Sequence, residues 1–148
     1  MTPRLGLLLA LLAIPAAAHA QTAADSSSIR ARALDYVEGW YEGNPERMGR
    51  ALHSELVKRI VASDTTTKRS VLENMGASAL VNGTRHGWGK KTPKERQQKD
   101  VTILDIFGNA ASVKAVMADW IDYLHLAKVD GRWVIVNVLW ELKPGGKG

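Results

Sequence analysis

Residues 119–140, Asp-Trp-Ile-Asp-Tyr-Leu-His-Leu-Ala-Lys-Val-Asp-Gly-Arg-Trp-Val-Ile-Val-Asn-Val-Leu-Trp, read as two strands joined by a turn. Asp130-Gly131 is a dipeptide suited to a turn that demands positive φ, and both flanks are rich in β-branched and aromatic residues. Working outward, strands are expected over 118–129 and 132–142. The same texture continues upstream, with a strand over 110–117 and another from residue 100 to the tight turn at Gly108-Asn109. Four consecutive strands with short turns make an antiparallel meander.

Before residue 100 the apolar period changes from two to about three and a half. Ile29, Ala33, Tyr36, Val37 and Trp40 share one face of a helix over 28–42, which Gly43 ends. Asn44-Pro45 then restarts the chain, Asn as N-cap and Pro at the first helical position, for a short helix over 45–52 that buries Met48, Ala51 and Leu52. Glu55 to Ala62 fits a helix by spacing and a strand by its β-branching, and is assigned as a short strand. Asp64-Thr65-Thr66-Thr67 has helix-start chemistry, so a third helix is expected over 67–81 with Val71, Leu72, Met75, Ala79 and Leu80 inward. Helices followed by an antiparallel meander define an α+β fold.

Residues 1–20 have the layout of a cleavable signal peptide. Arg4 is the positive start, Leu5 to Ile14 the apolar stretch, and Ala18-His19-Ala20 the cleavage site. The apolar run falls short of the roughly 20 residues a membrane span needs. The expected location is periplasmic or secreted, with a flexible leader over 21–28, one domain over 29–142 and a tail over 143–148. The whole chain has 148 residues, 20 Lys+Arg against 15 Asp+Glu, and no cysteine, which excludes disulfides, thiolate metal sites and a cysteine nucleophile. Residues 83–99 are a zone apart: Arg85, Lys90, Lys91, Lys94, Arg96 and Lys99 face only Glu95. Thr92-Pro93-Lys94-Glu95 suits a single helical turn there, and Gly83, Gly87 and Gly89 read as flexible-loop glycines. Export makes an anionic surface or acidic ligand a better partner for these charges than nucleic acid, and a solvated loop is the simplest reading.

Tyr123 to Asn137, in the pattern Tyr-x-His-x-x-x-x-Asp-Gly-x-Trp-x-Ile-Val-Asn, resembles the signature of the Putative lumazine-binding family of the nuclear transport factor 2-like superfamily. Tyr36, Trp40, the Gly43-Asn44 break and Leu52-His53 are similar to the family's first helix pair and the start of its first strand. The resemblance covers about 29–142 and is poor across 83–99. It implies a cone: a curved antiparallel sheet wrapped around a long helix and two shorter ones, with a pocket at the open end. The superfamily scaffold serves dehydratases, isomerases, ligand binders and dimerisation modules, so fold alone leaves function open.

Strand alternation sorts the candidate residues. Asp119, Tyr123 and His125 share one face of an unbulged strand, and Trp133 and Asn137 share a face of the last strand whose other face is wholly apolar. Tyr123, His125, Trp133 and Asn137 are therefore expected to bind ligand, together with Trp40 and with His53 at the cone mouth. His125 with Asp119 or Asp122 would make an acid–base pair, while a hydrogen-bonded sheet histidine is the structural alternative. His86, beside Trp88, reads as loop. The three histidines of the mature chain lack metal-ligand spacing, so no metal and no cofactor are expected. The all-apolar face of the last strand needs cover from helices or from a second subunit, hence an expected homodimer. Three functions follow: a small-molecule-binding module first, then a lyase or isomerase acting through His125, then a protein-interaction module with a filled cone.

Overall fold

The computed structural model describes residues 16–64 and 66–146. Helix α1 spans Ala16–Glu42, α2 Pro45–Ala51 and α3 Ala77–Arg85. Strands are β1 Leu52–Ser63, β2 Ser70–Gly76, β3 Asp100–Phe107, β4 Ala110–Val116, β5 Trp120–Val129 and β6 Arg132–Leu142. They form one curved sheet in the order β2-β1-β6-β5-β4-β3, in which only β1 and β6 run parallel. The expected α+β architecture and its meander are present.

The core forms where α1 lies against the sheet. Ile29, Ala33, Tyr36 and Val37, the face read from helical spacing, are each 3% exposed or less and pack with Leu124, Leu126, Ile135 and Val138. The helix ends as its sequence dictates: Gly43 takes φ +65 and its N–H returns to the Trp40 carbonyl at 3.2 Å. Asn44 Oδ1 then accepts the Arg47 N–H at 3.0 Å and caps α2. Arg47 bonds Asp35, Glu38 and Glu42, locking α2 onto α1.

Two segments differ from the sequence reading. The leader expected to be flexible over 21–28 belongs to α1, and Asp25 within it is tied to the sheet, its Oδ1 accepting Lys128 Nζ at 2.8 Å and Trp133 Nε1 at 2.9 Å. Of residues 1–20, expected from the sequence to be a signal peptide, 1–15 lie outside the described residues and 16–20 belong to α1. The helix expected over 67–81 is a strand followed by a shorter helix. Asp64 Oδ1 does accept two successive N–H groups, from Thr66 at 2.9 Å and Thr67, but this closes a turn rather than opening a helix. Lys68 takes φ 58, and β2 pairs back along β1 from Ser63↔Ser70 to Val57↔Gly76. Helix caps and Asx turns use the same Asp chemistry, and the waiting edge of β1 decides between them.

The Asp25 link carries a pH expectation. Hydrogen bonds from Lys128 and then Trp133 hold the Asp25 carboxyl below its usual 3.8. A depressed carboxylate contributes stability that is present above its unfolded value and lost as pH falls through its folded value. Protection from amide exchange around Asp25, taken relative to the intrinsic rate at each pH, should therefore fall only below about pH 4, the ordinary Asp range. Asp25→Asn should show fast exchange there at every pH; equal protection in both proteins at pH 6 would show that the link does not hold the helix.

Candidate functional site

Between α1 and the concave side of β1, β5 and β6 lies a cavity of about 880 Å³, so the cone is not filled. Its polar floor is built by three elements. Lys58 from β1 donates to Asp122 Oδ1 of β5 at 2.6 Å and to Tyr36 Oη of α1 at 2.8 Å. Tyr36 Oη donates to Asp122 Oδ2 at 3.2 Å, and Trp120 Nε1 donates to the same oxygen at 3.0 Å. Asp122 is fully buried and the Lys58 side chain is 7% exposed, so this is an ion pair out of water, satisfied by neighbouring donors. Burial draws the Lys58 ammonium below its usual 10.5, against the opposing pull of Asp122. Burial, and then the Asp122 charge, pushes the Tyr36 phenol well above 10, so it remains a donor.

The walls are aromatic. Trp88, Trp40, Trp120 and Trp140 form a chain of edge-to-face contacts with centroids 6.5, 6.2 and 6.0 Å apart. Lys58 Nζ sits 4.8 Å from the Trp140 ring centre, a cation–π contact at the floor. Met75, Leu80 and Met117 add apolar wall, while Lys91, Arg96, Asp119, Glu73 and Glu141 stand round the mouth. Arg96 there donates to Asp119 at 2.7 Å.

The basic zone supplies one side of the mouth, as two short 3₁₀ turns over Trp88–Lys91 and Lys94–Arg96. Gly83 and Gly89 are not there for flexibility. The Trp88 ring lies where a Cβ on Gly83 would stand, 2.6 Å from its Cε3, and a Cβ on Gly89 would fall 2.2 Å from the Trp40 carbonyl oxygen. These glycines let the loop close on α1 and present Trp88, 49% exposed, at the mouth.

The residues expected to bind ligand are divided between the two faces of the sheet. Trp40 lines the cavity, Asp119 stands at its mouth and Asp122 forms its floor. Tyr123, 43% exposed, and His125 project from the outer face. There Asn137 Nδ2 meets His125 Nδ1 at 3.2 Å and Asn137 Oδ1 accepts Arg59 Nη1 at 2.8 Å. His125 and Asp122 thus point to opposite sides of β5, and Asp119 lies at the cavity mouth on Arg96, so neither carboxylate forms the expected acid–base pair with His125, which meets Asn137 instead. Trp133 is buried under α1 through its bond to Asp25, away from the cavity. His53 lies in a separate shallow depression with Gly49 and Ala77.

Tyr123 and His125 lie outward by the plain alternation of β5, whose inward set is Asp122, Leu124 and Leu126. For Trp133 and Asn137 the physical reason is one residue, Val136. Leu126 pairs with Ile135 but His125 pairs with Asn137, leaving Val136 as an extra residue in β6. A bulge reverses the parity of everything beyond it. Trp133 and Ile135 therefore face inward with Val138 and Trp140, while Asn137 and Leu139 face outward. Lys58, Trp120 and Trp140 went unnoticed as site residues, yet a signal existed. Lys58 falls between Leu56 and Ile60 on the inward parity of β1, and Asp122 falls among Trp120, Leu124 and Leu126. A lone base and a lone acid on two apolar faces mark a buried pair.

Among the described residues no group of three or more His, Asp or Glu gathers as metal ligands, and no helix is long and apolar enough to cross a membrane. Solved structures share the fold. A nuclear transport factor 2-like protein of unknown function from Shewanella baltica is 21% identical, covering 82% of this chain and 96% of its own, with a TM-score of 0.62. One with a cystatin-like fold from Novosphingobium aromaticivorans is 12% identical, covering 88% and 89%, with a TM-score of 0.63. Another of unknown function from Methylobacillus flagellatus is 22% identical, covering 82% and 94%, with a TM-score of 0.60. No curated protein matches the chain. The family model described as Putative lumazine-binding matches residues 24–141, and with the curved sheet around α1 this establishes that the chain belongs to that family within the nuclear transport factor 2-like fold.

Proposed function

We propose that the chain is an exported small-molecule-binding module that holds a flat, ring-bearing ligand in the tryptophan-lined cavity. The observation that carries this reading is the cavity itself. Its volume falls within the roughly 300–1,000 Å³ of small-molecule sites, and it joins aromatic walls to a few converging polar groups. The family description supports a planar bicycle such as lumazine as a first probe. The signal-peptide layout of residues 1–20 supports export to a periplasm or beyond.

The outer face supports a homodimer. Tyr123 and Leu139, 43% and 48% exposed, are cross-strand partners there, and they adjoin the His125–Asn137–Arg59 hydrogen bonds. Outward apolar and aromatic side chains beside paired polar ones suit a face that packs against its own copy.

One experiment addresses both points. Native mass spectrometry of protein purified from its own compartment should give twice the mature mass and release a ring-bearing small molecule on mild denaturation. Added lumazine should quench the tryptophan fluorescence and raise the melting temperature of ligand-free protein. An empty single-chain mass, with neither quenching nor a melting shift, would overturn both readings.

A further inference from the structure

The floor of the cavity has one hydrogen-bonding position left over. A lysine ammonium carries three donors. Among the described residues, two of those on Lys58 are taken by Asp122 Oδ1 and Tyr36 Oη. The third is met only by ring faces, with the centres of Trp140, Tyr36 and Trp120 at 4.8, 5.5 and 5.6 Å from Nζ. A ring face is a weak acceptor beside an oxygen. Lys58 is also part of the cavity surface, so this donor is within reach of a ligand.

Charge restricts what that ligand end is. Lys58 and Asp122 balance each other, so the floor is neutral as a unit. An anion buried against it would have no counter-charge of its own, and burying an uncompensated charge is strongly unfavourable. The mouth does not compensate, since Glu73, Glu141 and Asp119 there outnumber Lys91 and Arg96. A cation would meet Lys58 directly. A neutral carbonyl oxygen satisfies every condition: it accepts the free donor, adds no charge and sits at the end of a planar ring system that the tryptophans can flank.

We propose that the ligand's buried end is an uncharged carbonyl, a ring ketone, lactam or aryl ketone, whose oxygen accepts a hydrogen bond from Lys58. This deepens the reading of the cavity as a flat-ring site and rests on it. Lys58 would then set specificity, separating oxygenated rings from hydrocarbons of the same shape and from ring carboxylates.

The test compares three naphthalenes that differ at one position: 2-acetonaphthone, its oxygen-free isostere 2-isopropenylnaphthalene, and 2-naphthoate. Binding is followed by quenching of tryptophan fluorescence in the full mature protein. The ketone should bind about ten- to a hundred-fold more tightly than the alkene, the range for a hydrogen bond to a charged group. The naphthoate should bind more weakly than the ketone. Lys58→Met should abolish the preference for the ketone while keeping alkene binding. Because that variant leaves Asp122 unpaired, a second measurement uses the unaltered protein: the carbonyl stretch of bound 2-acetonaphthone, ¹³C-labelled at the carbonyl, should move to lower wavenumber than in hexane. Equal binding of ketone and alkene, an unshifted stretch, or tighter binding of the naphthoate would each overturn the carbonyl assignment while leaving the flat-ring reading intact. If none of the three quenches, the flat-ring reading itself fails, and this inference with it.

Discussion

Asp122→Leu should destabilise the fold by about 3–5 kcal/mol, the range for breaking one side of a buried ion pair. Asp122 is fully buried and accepts three hydrogen bonds, from Lys58, Tyr36 and Trp120. Its removal leaves the Lys58 ammonium, itself 7% exposed, with the Tyr36 oxygen and ring faces but no counter-charge. The double variant Lys58→Met/Asp122→Leu removes both charges and fills the space with apolar side chains. It should be more stable than Asp122→Leu alone, though less stable than the native protein, because Tyr36 Oη and Trp120 Nε1 lose their acceptor. Urea unfolding of the native protein, both single variants and the double variant measures the coupling directly. Additive losses would show that the pair is not energetically coupled.

Gly89→Ala should destabilise the fold by about 1–3 kcal/mol or more. The added Cβ would lie 2.2 Å from the Trp40 carbonyl oxygen and 2.5 Å from Trp40 Cδ1. That carbonyl belongs to the last turn of α1 and already accepts the Gly43 N–H, so the helix end cannot yield easily. The loop carrying Trp88 and Lys91 must lift instead, opening one wall of the cavity. Loss of stability should therefore accompany weaker quenching by ring ligands and a red-shifted tryptophan emission. Gly49→Ala is the control. Nothing lies within 4 Å of its Cβ, and an alanine within α2 should be neutral or gain up to about 1 kcal/mol from helix propensity. Similar melting temperatures for Gly89→Ala and the native protein would show that the loop does not depend on this close approach.

Both results turn on features that single residue types announce only in part. A charged residue on an apolar parity was visible twice, at Lys58 and at Asp122, but 64 positions separate the two and nothing local says that they meet. Gly89 was visible as a glycine, yet whether it serves flexibility or contact depends on the Trp40 backbone opposite. The segment 70–76 has apolar residues at a spacing that suits a helix. It became β2 because an open strand edge lay alongside, and strand propensity depends on neighbours more than helix propensity does.

What the sequence by itself determined is local. The Asp130-Gly131 turn and its long flanking strands, the inward face of α1, the Gly43-Asn44-Pro45 break and the family resemblance all follow from residues near one another in the chain. The tertiary structure alone decided which side of the sheet each candidate faces. The extra residue at Val136 turns Asn137 outward while Trp133 stays in the core, and β5 carries His125 out and Asp122 in. A period of two assigns residues to faces only up to the first bulge, and a bulge is set by how a strand fits its partners rather than by the strand's own composition. The bulge accounts for Asn137; Tyr123 and His125 fall on the outward parity of β5, and the site lies instead at Lys58, Asp122 and Tyr36, where the concave face closes around a cavity.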